Sequence, residues 1–270
     1  MISEMKREAL QSLKGKWGLG VGGTLLYFIV SYAVSMLASL VVMIPGMMIF
    51  FLTAGLVGAF EGEEMTAIGL LVFVILYVIL LVVTLASYGV TVYGYTNVFL
   101  QLSRTQDVTI DALFEGFRGF KKMMKTMKAM ILICVYTGTW LPLALFGVFV
   151  ALIEGDGSST NDEFLILICF TAIILSIIGI IVMYFSYALT FHVMIDYPEY
   201  GVLEAMKESK RLMKGRKMDL FMLWISFIGW WLLAIVTLGI GLLWVSPYMM
   251  TTTAVFYNKI SNHNKTEQEL

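Results

Sequence analysis

Residues Phe164-Leu165-Ile166-Leu167-Ile168-Cys169-Phe170-Thr171-Ala172-Ile173-Ile174-Leu175-Ser176-Ile177-Ile178-Gly179-Ile180-Ile181-Val182-Met183-Tyr184-Phe185-Ser186-Tyr187 decide the fold class, and no formally charged side chain follows before Asp196. About 20 apolar residues cross a bilayer core as helix. Lipid offers the backbone no hydrogen-bond partner, so such a stretch must be helical. Four more runs behave alike: Trp17 to Phe60, Thr66 to Ser103, Ala129 to Ile153, and Leu220 to Ile260, the last broken only by Lys259. The 270 residues are 59% hydrophobic and 14% charged, against about 25% charged in soluble domains. A soluble protein of this size could not bury that much apolar surface. The chain is expected to be an all-α polytopic membrane bundle.

The 18 basic residues set the orientation. They fall in four groups: Lys6 to Lys16, Arg104 to Lys128, Lys207 to Lys217, and Lys259 with Lys265. Two connections carry acids and no base, one with Glu61, Glu63 and Glu64, the other with Glu154, Asp156, Asp162 and Glu163. Positive residues stay cytoplasmic. Both termini and the basic segments are therefore expected inside, and the acidic connections outside. Six spans follow, at 19–44, 67–99, 129–152, 164–194, 218–237 and 242–259, the last two divided at the glycines of Leu238-Gly239-Ile240-Gly241. Pro45 lacks a donor and is expected to kink or end the first span. Residues 46–60 are read as a short outer-surface helix or a re-entrant piece. The membrane domain covers 1–262, and 263–270 form a flexible tail. The charged start, Met1 to Lys16, and the long apolar run after it do not resemble a cleavable signal.

The inner segments resemble one another. Glu8-Ala9-Leu10 leads to Lys14-Gly15-Lys16-Trp17, Asp111-Ala112-Leu113 to Arg118-Gly119-Phe120-Lys121, and Glu204-Ala205-Met206 to Lys214-Gly215-Arg216-Lys217. The exits match more loosely: Ser87-Tyr88-Gly89-Val90-Thr91, Ser186-Tyr187-Ala188-Leu189-Thr190, and Ser246-Pro247-Tyr248 before Thr251. The pattern suggests one amphipathic helix plus one hairpin, used three times, in units 1–102, 103–197 and 198–262. Each amphipathic helix is expected to rest on the inner membrane surface, with a solvated basic connector or packing on its own bundle as the alternatives. In the third, Leu203, Met206, Lys210 and Met213 approximate one face. Lys14, Lys16, Arg118, Lys121, Lys214 and Arg216 are the candidate contacts to anionic headgroups.

Polar groups within the spans are few. His192 and Asp196 lie one helical turn apart, with Tyr187, Thr190 and Tyr197 nearby. A structural hydrogen bond or helix-end anchor is one reading, a proton relay or substrate site the other. Tyr88, Thr91, Tyr187, His192, Asp196 and Ser226 form the candidate polar cluster. Asn97 and Gln101 are expected to hydrogen-bond between helices, and Thr251, Thr252 and Thr253 to bond their own preceding turn. Gly18, Gly20, Gly22 and Gly23 suggest a closely packed helix start. Cys134 and Cys169 read as apolar packing, with a disulfide or reactive thiol as alternatives. No phosphate-binding glycine loop, HExxH or nucleophile elbow occurs. No catalytic residue, cofactor, metal or nucleic-acid partner is expected.

Residues 209–257 carry a family resemblance. They include Ser209-Lys210-Arg211-Leu212-Met213-Lys214-Gly215, Ile225-Ser226-Phe227-Ile228-Gly229-Trp230, Leu238-Gly239-Ile240-Gly241-Leu242-Leu243-Trp244, Pro247-Tyr248 and Ala254-Val255-Phe256-Tyr257. This resembles the bacterial membrane family catalogued as domain of unknown function 975, and Leu13-Lys14-Gly15-Lys16-Trp17 resembles its amino-terminal signature. The resemblance implies a polytopic inner-membrane protein and supplies no catalytic residues. The leading expectation is a non-enzymatic protein that binds membrane lipid, with anionic headgroups at the inner face, or a membrane-protein partner. A small permease for an apolar substrate is the alternative, and an intramembrane enzyme the third.

Overall fold

A computed structural model describes the backbone of residues 2–59, 63–154 and 160–269. Its elements are α1 (Ile2–Leu13), α2 (Trp17–Ala59), α3 (Glu63–Ser103), a 3-10 helix (Ile110–Phe117), α4 (Phe120–Gly138), α5 (Leu141–Glu154), α6 (Thr160–Tyr187), α7 (Thr190–Asp196), α8 (Val202–Leu212), α9 (Lys217–Ile225), α10 (Ile228–Val236) and α11 (Leu242–Glu269). The all-α class is as expected. The connections at 60–62 and 155–159, which hold Glu61 and Asp156, lie outside the described residues.

Four helical stretches among the described residues are long and apolar enough to cross a membrane: Trp17–Met48, Val74–Ser103, Leu167–Asp196 and Lys217–Val236. They match four of the six expected spans. The stretch at 129–152 does not qualify, because the chain breaks between α4 and α5. Pro142 explains the break. It has no N–H for the Gly138 carbonyl, and its ring disfavours helix at the residue before it. The stretch at 242–259 is not among the four either, and its residues 251–257 are all buried in the protein.

Pro45 does not end the first helix. α2 runs through it for 43 residues, so residues 46–59 are neither re-entrant nor a separate surface helix. At 1.5 Å per residue α2 is about 65 Å long, against a hydrocarbon core of about 30 Å. α3 has 41 residues and packs along α2.

The core lies at one end. It joins Tyr93 to Leu102 of α3, Phe185 to Met194 of α6–α7 and Tyr248 to Ile260 of α11 to the faces of α1, α8 and α9. Away from this end, side chains such as Val41, Met48, Leu71, Leu145, Phe170 and Ile178 are exposed. That is the distribution expected of helices whose outer stretches meet lipid.

The short amphipathic helices turn their apolar sides into this core. α1 buries Met5, Ala9 and Leu13, and α8 buries Val202, Ala205, Met206, Ser209 and Leu212. The face expected from Leu203, Met206, Lys210 and Met213 is corrected, since Leu203 is 49% exposed. The alternative of packing on the bundle therefore describes these helices better than an apolar side sunk in lipid. The 3-10 helix is seated by glycines on both sides. A Cβ on Gly94 would lie 1.8 Å from the Leu113 carbonyl oxygen, and one on Gly116 would lie 2.3 Å from that of Val90. Of the early glycines only Gly20 is in close contact, with Leu13 and Pro247; nothing lies within 4 Å of a Cβ on Gly18, Gly22 or Gly23.

Candidate functional site

The basic segments are tied to one another by polar contacts. Arg104, just past α3, holds both carboxylate oxygens of Asp196 at 2.7 Å. Its Nε and one Nη also donate to Asn258 Oδ1, at 3.0 and 2.9 Å. Asn258 Nδ2 donates to Ser103 Oγ at 2.9 Å, and Tyr257 Oη donates to Asp196 Oδ2 at 2.9 Å. One clasp thus joins the ends of α3 and α7 to α11. The carboxylate hydrogen bonds raise the Arg104 pKa above its ordinary value. Around the clasp, Lys259 pairs with Glu8 at 2.9 Å, Lys16 donates to the Gln106 carbonyl at 2.9 Å, and Lys125 donates to that of Pro198 at 2.7 Å. All four basic groups therefore gather at the end that holds the core.

The expected polar cluster does not converge. Asp196 belongs to the clasp. His192 is buried one turn away with its ring 5.2 Å from that of Tyr257, and neither ring nitrogen has a hydrogen-bond partner among the described residues. The pair therefore makes no hydrogen bond to each other. An unpaired buried polar group costs about 1–3 kcal/mol. Tyr187 is buried against Tyr136, with ring centroids 5.8 Å apart. Thr91 bonds the Tyr88 carbonyl at 2.9 Å, while Tyr88 itself is 40% exposed. Ser226 is separate: its carbonyl accepts from Lys6 Nζ at 2.7 Å, and that ammonium stands 4.0 Å over the Phe227 ring.

Other expectations fare differently. Thr251, Thr252 and Thr253 bond the carbonyls of Pro247, Tyr248 and Met249 at 2.7, 2.7 and 2.9 Å, as expected. Gln101 bonds Asn97 within α3 at 3.0 Å, and Asn97 reaches Ala112 of the 3-10 helix at 3.3 Å. Among the described residues, Cys134 and Cys169 are not joined in a disulfide.

The three basic-glycine junctions share one backbone device. Gly15, Gly119 and Gly215 have φ of +77°, +88° and +77°, a region that glycine enters without steric cost. At each, an amphipathic helix ends and the next helix of the chain begins. Their side chains differ in engagement. Lys14, Arg118, Lys121 and Lys214 are exposed, and Lys16 and Arg216 are half-buried. Arg118 pairs with Glu115 at 3.2 Å, and so does Lys122. A cleft of about 760 Å³ lies between α4 and the loop before α8. Its Lys125 is pushed below the ordinary lysine pKa by burial. A second groove, of about 700 Å³, lies where α8 meets α9.

Sequence reasoning counted Arg104 only as a topology charge and missed Asn258 as its partner and Tyr257 as the partner of Asp196. A signal was present: Arg104 and Asp196 are the first charges after two long apolar runs.

The family model described as Protein of unknown function (DUF975) matches residues 1–264. No curated protein and no solved structure matches the chain.

Proposed function

The chain belongs to the DUF975 family of bacterial membrane proteins, and from that premise we propose a non-enzymatic role: it holds anionic lipid or a membrane partner against its cytoplasmic end. In this reading the chain crosses six times, with both termini inside. Its three units each comprise an amphipathic helix, a glycine junction and a hairpin. The observation that carries the reading is the gathering of the basic segments around one packed, clasped end, with several cations left unpaired. The positive φ at Gly15, Gly119 and Gly215 supports the repeat. So do the matching exits, where Ser87 and Ser186 bond Val83 and Val182 at 2.7 Å and Thr190 bonds Tyr187 at 2.8 Å, as Thr91 does Tyr88. In the crossing at 242–259, the hydroxyls of Thr251, Thr252 and Thr253 are satisfied by their own preceding turn.

Two measurements test this. In a background with Cys134→Ala and Cys169→Ala, Gly62→Cys is expected to react with an impermeant maleimide from outside intact cells. Labelling only from the cytoplasmic side would overturn the topology. Purified protein is expected to retain phosphatidylglycerol over phosphatidylcholine. Changing Lys14, Lys16, Arg118, Lys121, Lys214 and Arg216 to glutamine should abolish that preference, since each basic group near a membrane surface adds about 1 kcal/mol of attraction to anionic lipid. Equal retention of the two lipids by the wild type would end the lipid reading.

A further inference from the structure

We propose that the groove between α8 and the start of α9 is a headgroup site for an anionic phospholipid, seated by its phosphate; this rests on the lipid reading above and gives it a place. The groove is lined by Lys207, Lys210, Arg211, Lys214 and Lys217 around Gly215, and no acid lines it. Arg211 alone is answered, by Glu208 of its own helix at 2.8 and 2.7 Å. The four lysines have no carboxylate within 4.0 Å among the described residues. Like charges gathered in this way repel one another, and an anion among them relieves that repulsion.

The other two junctions lack this property. At the first, Lys16 is engaged by Gln106 and lies 3.9 Å from Asp107. At the second, Arg118 and Lys122 share Glu115, Lys125 is held by Pro198, and Glu199 lines the cleft. Of the three related sites, the α8–α9 groove holds the most cations without a carboxylate partner among the described residues.

Backbone geometry adds to the charge. The positive φ of Gly215 turns the chain from α8 into α9. The first amides of α9 have no intrahelical acceptor and carry the positive end of the helix dipole.

The same groove distinguishes a lipid from a free phosphate. α9 opens the candidate span Lys217–Val236. Met218, Met222 and Ile225 are 62%, 46% and 43% exposed. Their spacing puts them on one helical face, which begins at the groove and leads along the span. A phosphate among the lysines would have an apolar track beside it for an acyl chain. A soluble anion has no use for that track.

The experiment uses the full-length protein in neutral detergent with phosphatidylglycerol carrying brominated acyl chains, read by quenching of tryptophan fluorescence. K207Q/K210Q/K214Q/K217Q is expected to bind at least about tenfold more weakly, since each basic residue near a membrane surface contributes about 1 kcal/mol. The conservative K207R/K210R/K214R/K217R should restore binding. K128Q, in the other cleft, should leave it unchanged. M218E, with every lysine kept, should weaken the lipid and spare inorganic phosphate. Should the fourfold glutamine variant not fold, M218E and K214E decide alone. Unaltered binding by the groove variants, with wild-type preference for the anionic lipid intact, would overturn this site and leave the general reading standing. Loss of that preference in the wild type would overturn both. Full displacement of the lipid by millimolar inorganic phosphate would assign the groove to a free anion.

Discussion

Gly94→Ala is expected to be the most damaging glycine-to-alanine change among the described residues of this protein. The new Cβ would lie 1.8 Å from the Leu113 carbonyl oxygen and 2.7 Å from its carbonyl carbon. Both atoms are backbone, so no side-chain rotation makes room. Either the 3-10 helix withdraws from α3 or α3 bends away from it, and both movements open the core around Tyr93, Phe99 and Leu113. Overpacking usually costs about 1–3 kcal/mol, and a backbone collision belongs at or above the top of that range. Size-exclusion chromatography after heating in detergent should show the folded peak lost well below the wild-type temperature. Gly22→Ala is the control. Nothing lies within 4 Å of its Cβ, and alanine favours helix over glycine by about 1 kcal/mol. Equal heat stability of Gly94→Ala and wild type would refute the close approach.

The second large effect is at the clasp. Asp196→Ala removes the partner of Arg104 and of Tyr257 Oη together. The Asp196 side chain is 12% exposed and that of Arg104 34%, so the pair lies between two regimes. Breaking a buried pair costs about 3–5 kcal/mol, while exposed pairs are worth about 0–1 kcal/mol. A loss of about 2 kcal/mol is expected. Arg104→Gln should cost a similar amount, and the double variant should cost clearly less than the two together, because each single change already removes the shared interaction. Thermal unfolding of the three variants measures this. Strict additivity would mean that the two residues do not act as one unit.

Much of the fold was legible in the sequence because lipid tolerates so few backbone solutions. The charge-free runs placed four helices that can span, and the basic-glycine junctions marked turns whose positive φ only glycine adopts freely. What escaped was tertiary. Pro142 splits one expected span, although its effect was readable from the missing donor alone. Pro45, with the same chemistry, leaves α2 unbroken. α11 looks apolar enough by eye, yet Thr251 to Thr253 and Asn258 make it a helix for the interior of the bundle. Hydropathy cannot tell a side chain facing lipid from one facing another helix. The clasp was hidden for a related reason. Arg104, Asp196 and Asn258 lie far apart in sequence; charge counting registers the first two without saying that they meet, and does not register Asn258 at all.

The length of α2 has a mechanical consequence. Its apolar stretch Trp17–Met48 holds 32 residues, or about 48 Å of helix, and a hydrocarbon layer of about 30 Å covers it only when it leans by about 50°. That exceeds the usual range of tilts, which reaches about 40°. The surrounding layer must thicken, or apolar surface must emerge from it. Either response loads the α2–α3 hairpin like a lever whose short arm is the buried inner end of α3. A thinner or thicker bilayer therefore exerts a torque on the segment that ends at Ser103 and Arg104, and the strength of the clasp sets how much of that torque the packed end can resist.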